Sequence, residues 1–370
     1  MTMSIWSRHA LERDRLKTQG SNAGRLACLD GLRGILSLMV VVIHSGQIIH
    51  YPAPVQPWIT DLGDGGLAVD MFFVLSGLVV FNSLLSFRGQ IVPSIVARAA
   101  RIYPAYLVAL AASLPLVFCG FIPQPFWAHL LAHLTMTHGL FPNDELRDIH
   151  ISILQPAWSL STEWQFYLLM AGWVAVGGLY RRQASAIFML LGLAGVWLGR
   201  NFSPAFLPNE AHLFALGIAT SALFVRQDRA PWDGFLLALA ACLAVVLLRG
   251  APTKLVVPLG WVVIVAAQLN IRGTGMVRIT LESAPLRWLG KVSYSLYLIH
   301  FPILLLFAEV WNPAGRPLLS HFAWMLTILW ICLAASALMQ QYVEVPFNLA
   351  GHRAAKALTD SPRALFKIAR

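Results

Sequence analysis

Residues 29–45 read LDGLRGILSLMVVVIHS, an apolar run with Arg33 near its start and His44 near its end. At 3.6 residues per turn, about three turns separate the two, so both side chains fall on one face of a helix. The rise between them is roughly 16 Å, about half of a bilayer core. An ionisable side chain at that depth is costly to bury, so His44 is our first candidate functional residue.

The composition around this run indicates a membrane protein. The 370-residue chain is 58% hydrophobic and only 12% charged, whereas a soluble domain carries about 25% charged residues. We therefore predict an all-α membrane fold, a polytopic bundle of about ten transmembrane helices. Its four cysteines show neither CxxC nor Cys/His metal spacing, so we expect no disulfide framework and no zinc site.

Three regions follow from the distribution of charge. We predict a basic cytoplasmic segment over 1–27, a transmembrane domain over 28–348 and a basic cytoplasmic tail over 349–370. The first apolar run lacks a small-x-small cleavage site, so we interpret it as a retained helix and not as a signal peptide. The ten predicted helices cover residues 32–49, 67–85, 102–121, 158–179, 186–198, 211–225, 235–248, 255–270, 292–310 and 322–342.

The basic residues fall mostly on one side of this arrangement. With the N-terminus inside, the outer segments hold few of the 27 basic residues, namely Arg147, Arg200, Arg249, Lys254 and Arg316. Because cytoplasmic loops carry the excess of Lys and Arg, the asymmetry predicts an even helix count with both termini in the cytoplasm. The net charge of +10 is then explained by orientation and anionic lipid, without a nucleic-acid partner.

Two histidines and two arginines are the strongest candidates for chemistry. His44 could be a structural hydrogen bonder or a functional base, and a cation at Arg33 would favour its neutral form. His300, in the predicted ninth helix, is a second membrane histidine. Arg98 and Arg101 share one side of a helical turn. They could anchor the helix at the cytoplasmic face or clamp a phosphorylated ligand, and their spacing alone favours the anchor.

Other polar residues enter the predicted helices. Asp70 lies within an apolar run and needs a partner, while Glu163 could orient an acceptor hydroxyl or pair with a basic group. Ser161 or its neighbour Ser159 could cap the fourth helix. Tyr294 precedes His300 by nearly two turns.

Several residues have a simpler structural interpretation. We expect Asp30 to cap the first helix, Ser76 and Gly77 to allow close helix contact, and Pro346 to end the tenth helix. Glu344 is expected to cap locally or to pair with the basic tail. In the outer segment over 122–157, which looks interfacial or re-entrant, His129 and His133 are four residues apart without a placed acidic partner, so a metal site there is disfavoured.

Taken in order, six segments resemble the acyltransferase-3 family of integral membrane O-acyltransferases. They are LDGLRGILSLMVVVIHS with ten residues between Arg33 and His44, GGLAVDMFFVLSGLVV, RAARIYPAY, PAWSLSTEWQFY, GKVSYSLYLIHFPI and VEVPF. The resemblance covers about residues 26 to 350. No single segment is decisive, but the ordered set is specific.

The resemblance implies an acyl-CoA donor, usually acetyl-CoA, used from the cytoplasmic side, and a carbohydrate or glycolipid acceptor. It implies that His44 is catalytic with Arg33 as its partner in the motif, and that Arg98 and Arg101 bind donor phosphates. Asp70, Glu163, Tyr294 and His300 are weaker transfers, and VEVPF is a structural marker. We expect no fused hydrolase-like domain and a multi-pass location in a bacterial inner membrane.

A transporter or flippase of glycans or small solutes is the alternative, since it too would use buried charges. The two arginine motifs favour the enzyme. A non-catalytic membrane subunit is disfavoured by the number of ionisable residues within helices.

Overall fold

The computed structural model describes residues 26–49, 51–52, 55–57, 66–87, 90–120, 123–142, 144–176, 180–224, 230–311, 313 and 315–360. Most of the predicted N-terminal segment, residues 361–370, and the predicted loop residues Arg88, Arg226 and Arg229 lie outside these ranges. Within them the secondary structure is helical, apart from turns and one isolated bridge between Pro142 and Phe202.

The helices follow the predicted order. They are α1 (Ala27–Ile49), α2 (Gly66–Ser86), α3 (Ile91–Cys119), α4 (Phe126–Leu134), α5 (Trp158–Ala175), α6 (Arg181–Leu198), α7 (Ala211–Ser221), α8 (Ala230–Leu248), α9 (Val256–Gln268), α10 (Gly275–Leu281), α11 (Ala284–Val310), α12 (Leu318–Met339) and α13 (Val345–Asp360).

Five helical stretches among the described residues are long and apolar enough to cross a membrane: Ala27–Ile49, Gly66–Leu84, Ile91–Cys119, Ala284–Val310 and Leu318–Asp360. The chain is therefore a multi-pass membrane protein. The predicted spans between 158 and 270 are present as helices α5 to α9, but they are not among these five.

Several helices begin earlier than predicted, and in α3 and α1 this changes the place of a candidate residue. Helix α3 begins at Ile91, so Arg98 and Arg101 lie within it and not in a preceding loop. Arginine is a good helix former, and Pro93 falls in the first turn, where proline is tolerated. Helix α1 begins at Ala27, which places Asp30 inside its first turn, so the expectation that Asp30 is the N-cap is wrong.

The expected helix end at Pro346 is also wrong. A π-helical turn, Gln340–Glu344, joins α12 to α13 without interruption. Pro346 is the second residue of α13 and directly follows the π-helical turn, where the regular i→i−4 hydrogen bonding of the helix is already interrupted. The boundary expected at residue 348 falls within α13, and this helix packs on α3, where Gly351 lies against Ala100.

The close packing of α1 on α11 positions the candidate residues. A Cβ atom on Gly290 of α11 would lie 1.9 Å from the backbone oxygen of Asp30, and one on Gly34 of α1 would lie 2.6 Å from that of Leu286. Glycine therefore lets the two backbones approach closely. The pairing brings the face of α1 that carries Arg33 and His44 against α11.

Candidate active site

His44 and His300 form a buried pair between α1 and α11. Nδ1 of His44 lies 2.8 Å from Nε2 of His300, and the ring planes differ by 3°. The two residues are 7% and 0% exposed. The ring of Phe301 packs edge-on against His44, with centroids 5.6 Å apart.

The hydrogen bonds of the pair define the tautomer of each ring. Nδ1 of His300 lies 3.0 Å from the backbone oxygen of Leu296, which can only accept, so this nitrogen carries the proton. In a neutral His300, Nε2 then accepts a hydrogen bond from Nδ1 of His44. The remaining nitrogen of His44, Nε2, is left with a free lone pair, as a general base or nucleophile requires.

A separate basic pocket lies toward the start of α1. It is open, with a volume of about 790 Å³ including its mouth. Five residues identified in the sequence share it: Arg33, Arg98, Arg101, Glu163 and Tyr294. The other lining residues are Phe72, Phe73, Ser76, Val79, Val80, Ile102, Ser159, Leu160, Tyr167, Ser293 and Tyr297.

Glu163 is the hydrogen-bonding centre of one pocket wall. Its Oε1 accepts hydrogen bonds from Ser76, at 2.5 Å, and from the hydroxyl of Tyr167. The guanidinium of Arg98 stacks over the Tyr167 ring, 5.1 Å from its centroid. This network holds a cation facing the pocket, and it shows that Ser76 does more than permit helix contact. Gly77 has that contact role, against the backbone of Phe214.

Tyr294 and Glu344 connect neighbouring helices. The Tyr294 hydroxyl donates to the backbone oxygen of Ile102 at 2.7 Å, which ties α11 to α3. Ser295 donates to Oε2 of Glu344 at 3.1 Å. Glu344 therefore reaches α11 from the π-helical turn, a contact that neither expected role, a local cap or a pair with the basic tail, included.

Arg33 and His44 occupy different surroundings. Arg33 lines the pocket, whereas neither His44 nor His300 does. Tyr297 lies next to both groups: it lines the pocket, and its ring centroid is 6.2 Å from that of His300. His44 therefore contacts His300, whereas Arg33, which was expected to favour the neutral form of His44 from the same helix face, lines the pocket.

Asp70 and Ser161 lie elsewhere. Asp70, which is buried, pairs with Lys254 at 3.0 Å, so its partner comes from the turn before α9. Ser161 donates to the backbone oxygen of Met136 and accepts from the N–H of Gly139. Helix α5 has Ala157 at its N-cap without a side-chain cap, so the expected capping by Ser159 or Ser161 is wrong.

Buried histidines tie together the segment from α4 to Ala157, which is outside the five spans. His133 contacts the backbone oxygen of Ile149 at 3.0 Å, and His138 contacts that of Ala157 at 3.0 Å. Burial lowers the pKa of His133 well below its ordinary value and that of His138 to about 4. Within the described ranges, no group of three or more His, Cys, Asp or Glu side chains could hold a metal ion.

Sequence reasoning gave no role to the pocket residues Tyr167 and Tyr297 and gave Ser159 only a possible capping role, although all three lie one turn from residues that it found. Ser159 and Tyr167 flank Glu163 at i−4 and i+4, and Tyr297 lies three residues from both Tyr294 and His300. Helical spacing could have identified all three, because residues three or four apart share a face.

A multi-pass membrane protein with a basic pocket beside a buried base fits an enzyme that transfers a group from an anionic donor. The family model described as an acyltransferase domain, Acyl_transf_3, matches residues 26–340. The chain therefore belongs to the acyltransferase-3 family, as the sequence motifs predicted, and it is an acyltransferase.

Three relatives show the range of similarity. "Acyltransferase MdmB" of Streptomyces mycarofaciens is 26% identical over 91% of this chain and 96% of its own. "Protein 2 in picA locus" of Rhizobium radiobacter is 32% identical over 41% of this chain and 83% of its own. "Putative peptidoglycan O-acetyltransferase YrhL" of Bacillus subtilis is 24% identical over 88% of this chain but 55% of its own. No solved structure matches this chain.

Proposed function

We propose that the protein transfers an acyl group, in particular acetyl, from acyl-CoA to a sugar hydroxyl of a cell-surface or lipid-linked glycan. The observation that carries the proposal is the convergence of Arg33, Arg98 and Arg101 on one pocket that ends near the His44–His300 pair. Guanidinium groups suit phosphate, and CoA carries its phosphates at one end and its thioester at the other.

The length of α1 between Arg33 and His44 supports separate sites for the phosphates and the thioester. Arg33 and His44 are separated by roughly 16 Å of helix rise, and the pantetheine arm of CoA likewise separates phosphates from thioester. Arg98 and Arg101 would hold the phosphates, with Arg33 adding positive charge at the same end. Glu163 would keep the Arg98 side of the pocket in place through Tyr167 and is available to a sugar hydroxyl.

His44 would act through its free Nε2. As a base, Nε2 takes the proton from the acceptor hydroxyl while the oxygen bonds to the thioester carbon, and the C–S bond breaks. The imidazolium then returns the proton to the leaving thiolate. As a nucleophile, the same nitrogen bonds to the acyl carbon while the C–S bond breaks and CoA leaves as the thiolate. The hydroxyl oxygen then takes the acyl group, the C–N bond breaks, and the hydroxyl proton goes to the thiolate. In both cases His300 orients His44, and the products are the acylated sugar and free CoA.

We place both termini in the cytoplasm, in a bacterial inner membrane, with α5 to α9 crossing it as well. The placement of the basic residues supports this topology. It requires the pocket mouth, beside Arg98, to face the cytosol, where acyl-CoA is made. Single cysteines placed beyond α3 and before α5, where the topology puts the chain outside the cytoplasm, test this by reaction with an impermeant maleimide in intact cells. The topology requires these cysteines to be labelled from outside, and accessibility only from the cytoplasm contradicts it.

Transfer from acetyl-CoA tests the function directly. Purified protein in detergent is mixed with acetyl-CoA carrying a radiolabelled acetyl group and with glycolipid extracted from bacterial membranes, and free CoA and labelled lipid are followed. We expect labelled lipid from the wild type and about 10²–10⁴-fold less from His44→Ala. Equal transfer by folded His44→Ala, or no CoA release by the wild type, would contradict the proposal.

A further inference from the structure

The inner end of the pocket is closed by aromatic rings. Tyr297 and Phe72 pack edge to face with centroids 6.0 Å apart, and both line the pocket. Phe73 lies beside them and packs against Trp158 and Phe214, at 5.9 and 5.0 Å. Trp158 and Phe214 do not line the pocket, so Phe73 has aromatic neighbours behind it and little room to move back.

Tyr297 separates this pocket from the histidine pair. On α11, Tyr294, Tyr297 and His300 follow one another at three-residue spacing, so they lie along one side of the helix. Tyr294 and Tyr297 line the pocket, whereas His300 does not. The Tyr297 ring is therefore the last pocket-lining group on this helix before the pair that contains His44.

Two hydrogen bonds hold the Tyr297 hydroxyl. It lies 2.9 Å from the backbone oxygen of Pro156 and 2.8 Å from Oγ of Ser159. Because the carbonyl can only accept, the tyrosine donates to Pro156, and Ser159 donates to the tyrosine oxygen. Both partners belong to the start of α5 and the turn before it, so the ring is fixed across two elements. The side chain is 7% exposed.

We propose that Tyr297 limits the length of the acyl group that the enzyme accepts. The inference rests on the proposed function, since a thioester that enters past the arginines must bring its acyl group against this ring to reach His44. A short acyl group fits beside a ring that stays in place. A longer chain must displace the ring from Phe72 and break the bonds to Pro156 and Ser159.

Binding of a homologous series of donors tests the proposal without knowledge of the acceptor. The dissociation constants of CoA, acetyl-CoA, butyryl-CoA and hexanoyl-CoA are measured by calorimetry for wild type, Tyr297→Ala and Tyr297→Phe. We expect the affinity of the wild type to fall as the acyl chain lengthens. In Tyr297→Ala, the affinity for butyryl-CoA relative to that for acetyl-CoA should rise by roughly tenfold or more. Tyr297→Phe keeps the ring and therefore most of the discrimination.

Two further variants keep the outcome interpretable. Tyr180 is an exposed tyrosine far along the sequence from the wall. Tyr180→Ala is therefore the matched control and should leave the ratio of the butyryl-CoA and acetyl-CoA affinities unchanged. Phe72→Ala opens the wall from the facing side and should relax the limit too, which covers the case that Tyr297→Ala does not fold. Unchanged length dependence in the folded wall variants overturns the role of Tyr297. A wild type that binds none of the four compounds instead overturns the donor assigned under the proposed function.

Discussion

Nδ1 of His44 and Nε2 of His300 lie 2.8 Å apart in rings that are nearly coplanar, although 256 residues separate them in the sequence. Nδ1 of His300 in turn donates a hydrogen bond to the backbone oxygen of Leu296, so the proton of this ring is on Nδ1. Together these bonds leave Nε2 of His44 as the unprotonated nitrogen. In the proposed function, His300 would therefore act as a positioning residue for His44.

This arrangement predicts a graded series at position 300. His300→Ala should lower kcat because His44 loses the acceptor that selects its tautomer. His300→Gln should recover part of the loss, since its side-chain oxygen can accept from Nδ1 of His44. Steady-state kinetics of CoA release, with the melting temperature as a folding control, check this. Activity of His300→Ala equal to the wild type would show that the orientation of His44 does not depend on His300.

The arginine pocket predicts a charge-dependent donor affinity. Arg98→Ala should weaken acetyl-CoA binding by roughly ten- to a hundredfold, the value of a hydrogen bond to a charged group. The affinity of Arg98→Lys for acetyl-CoA should lie between those of the wild type and Arg98→Ala, because an ammonium keeps the charge but not the planar fork or the stacking on Tyr167. Calorimetry at two salt concentrations measures both.

Arg272→Ala is the control for that experiment. Arg272 is exposed in the turn before α10 and does not line the pocket. Donor affinity should stay at the wild-type value. If Arg272→Ala weakens binding as much as Arg98→Ala does, the effect reflects overall charge and not the pocket.

The contact between α1 and α11 predicts a sharp effect on stability. Gly290→Ala places a methyl group 1.9 Å from the Asp30 oxygen, so the helices must separate. Overpacking of this kind costs about 1–3 kcal/mol. Gly172→Ala, in α5, is the matched control because a Cβ atom there has nothing within 4 Å. Thermal unfolding in detergent compares them; equal melting temperatures would contradict the close packing.

Because of its buried histidines, we expect the segment over residues 126–157 to lose stability in acid. The pKa of buried His138, about 4 in the folded segment, compares with about 6.5 when unfolded. Above pH 6.5 the histidine is neutral in both states and does not change the stability of the segment. As the pH falls below 6.5, the unfolded segment binds a proton that the folded segment does not, so the stability of the segment drops until about pH 4. At pH 5 the effect is about 2 kcal/mol for His138.

Hydrogen exchange at pH 7.5 and 5.0, corrected for intrinsic rates, measures this over residues 126–157. Protection should fall at pH 5.0, and the double variant His133→Gln/His138→Gln should show a smaller change between the two pH values. His352→Gln, at an exposed position on α13, is the control. Equal protection at both pH values would mean that the histidines protonate without opening the segment.

The sequence alone predicts much of the architecture. Apolar runs longer than a bilayer crossing permit little besides helices, because backbone groups in lipid must bond internally. Every predicted helix is present, and the six ordered motifs identify the family. Helix ends were less accurate: Pro346 and the basic residues before 102 suggested breaks, but Pro346 follows a π-helical turn in a continuous helix, and arginine within a helix can face a polar pocket.

Only the tertiary structure decided which residues meet. Periodicity placed Arg33 and His44 on one face, yet it could not show that α11 supplies His300 to one of them while α3 and α5 surround the other. It also could not show that Asp70 pairs with Lys254, away from the pocket. A local pattern determines the face that a side chain occupies, whereas its neighbours depend on contacts between helices distant in sequence, such as that of Gly290 with Asp30.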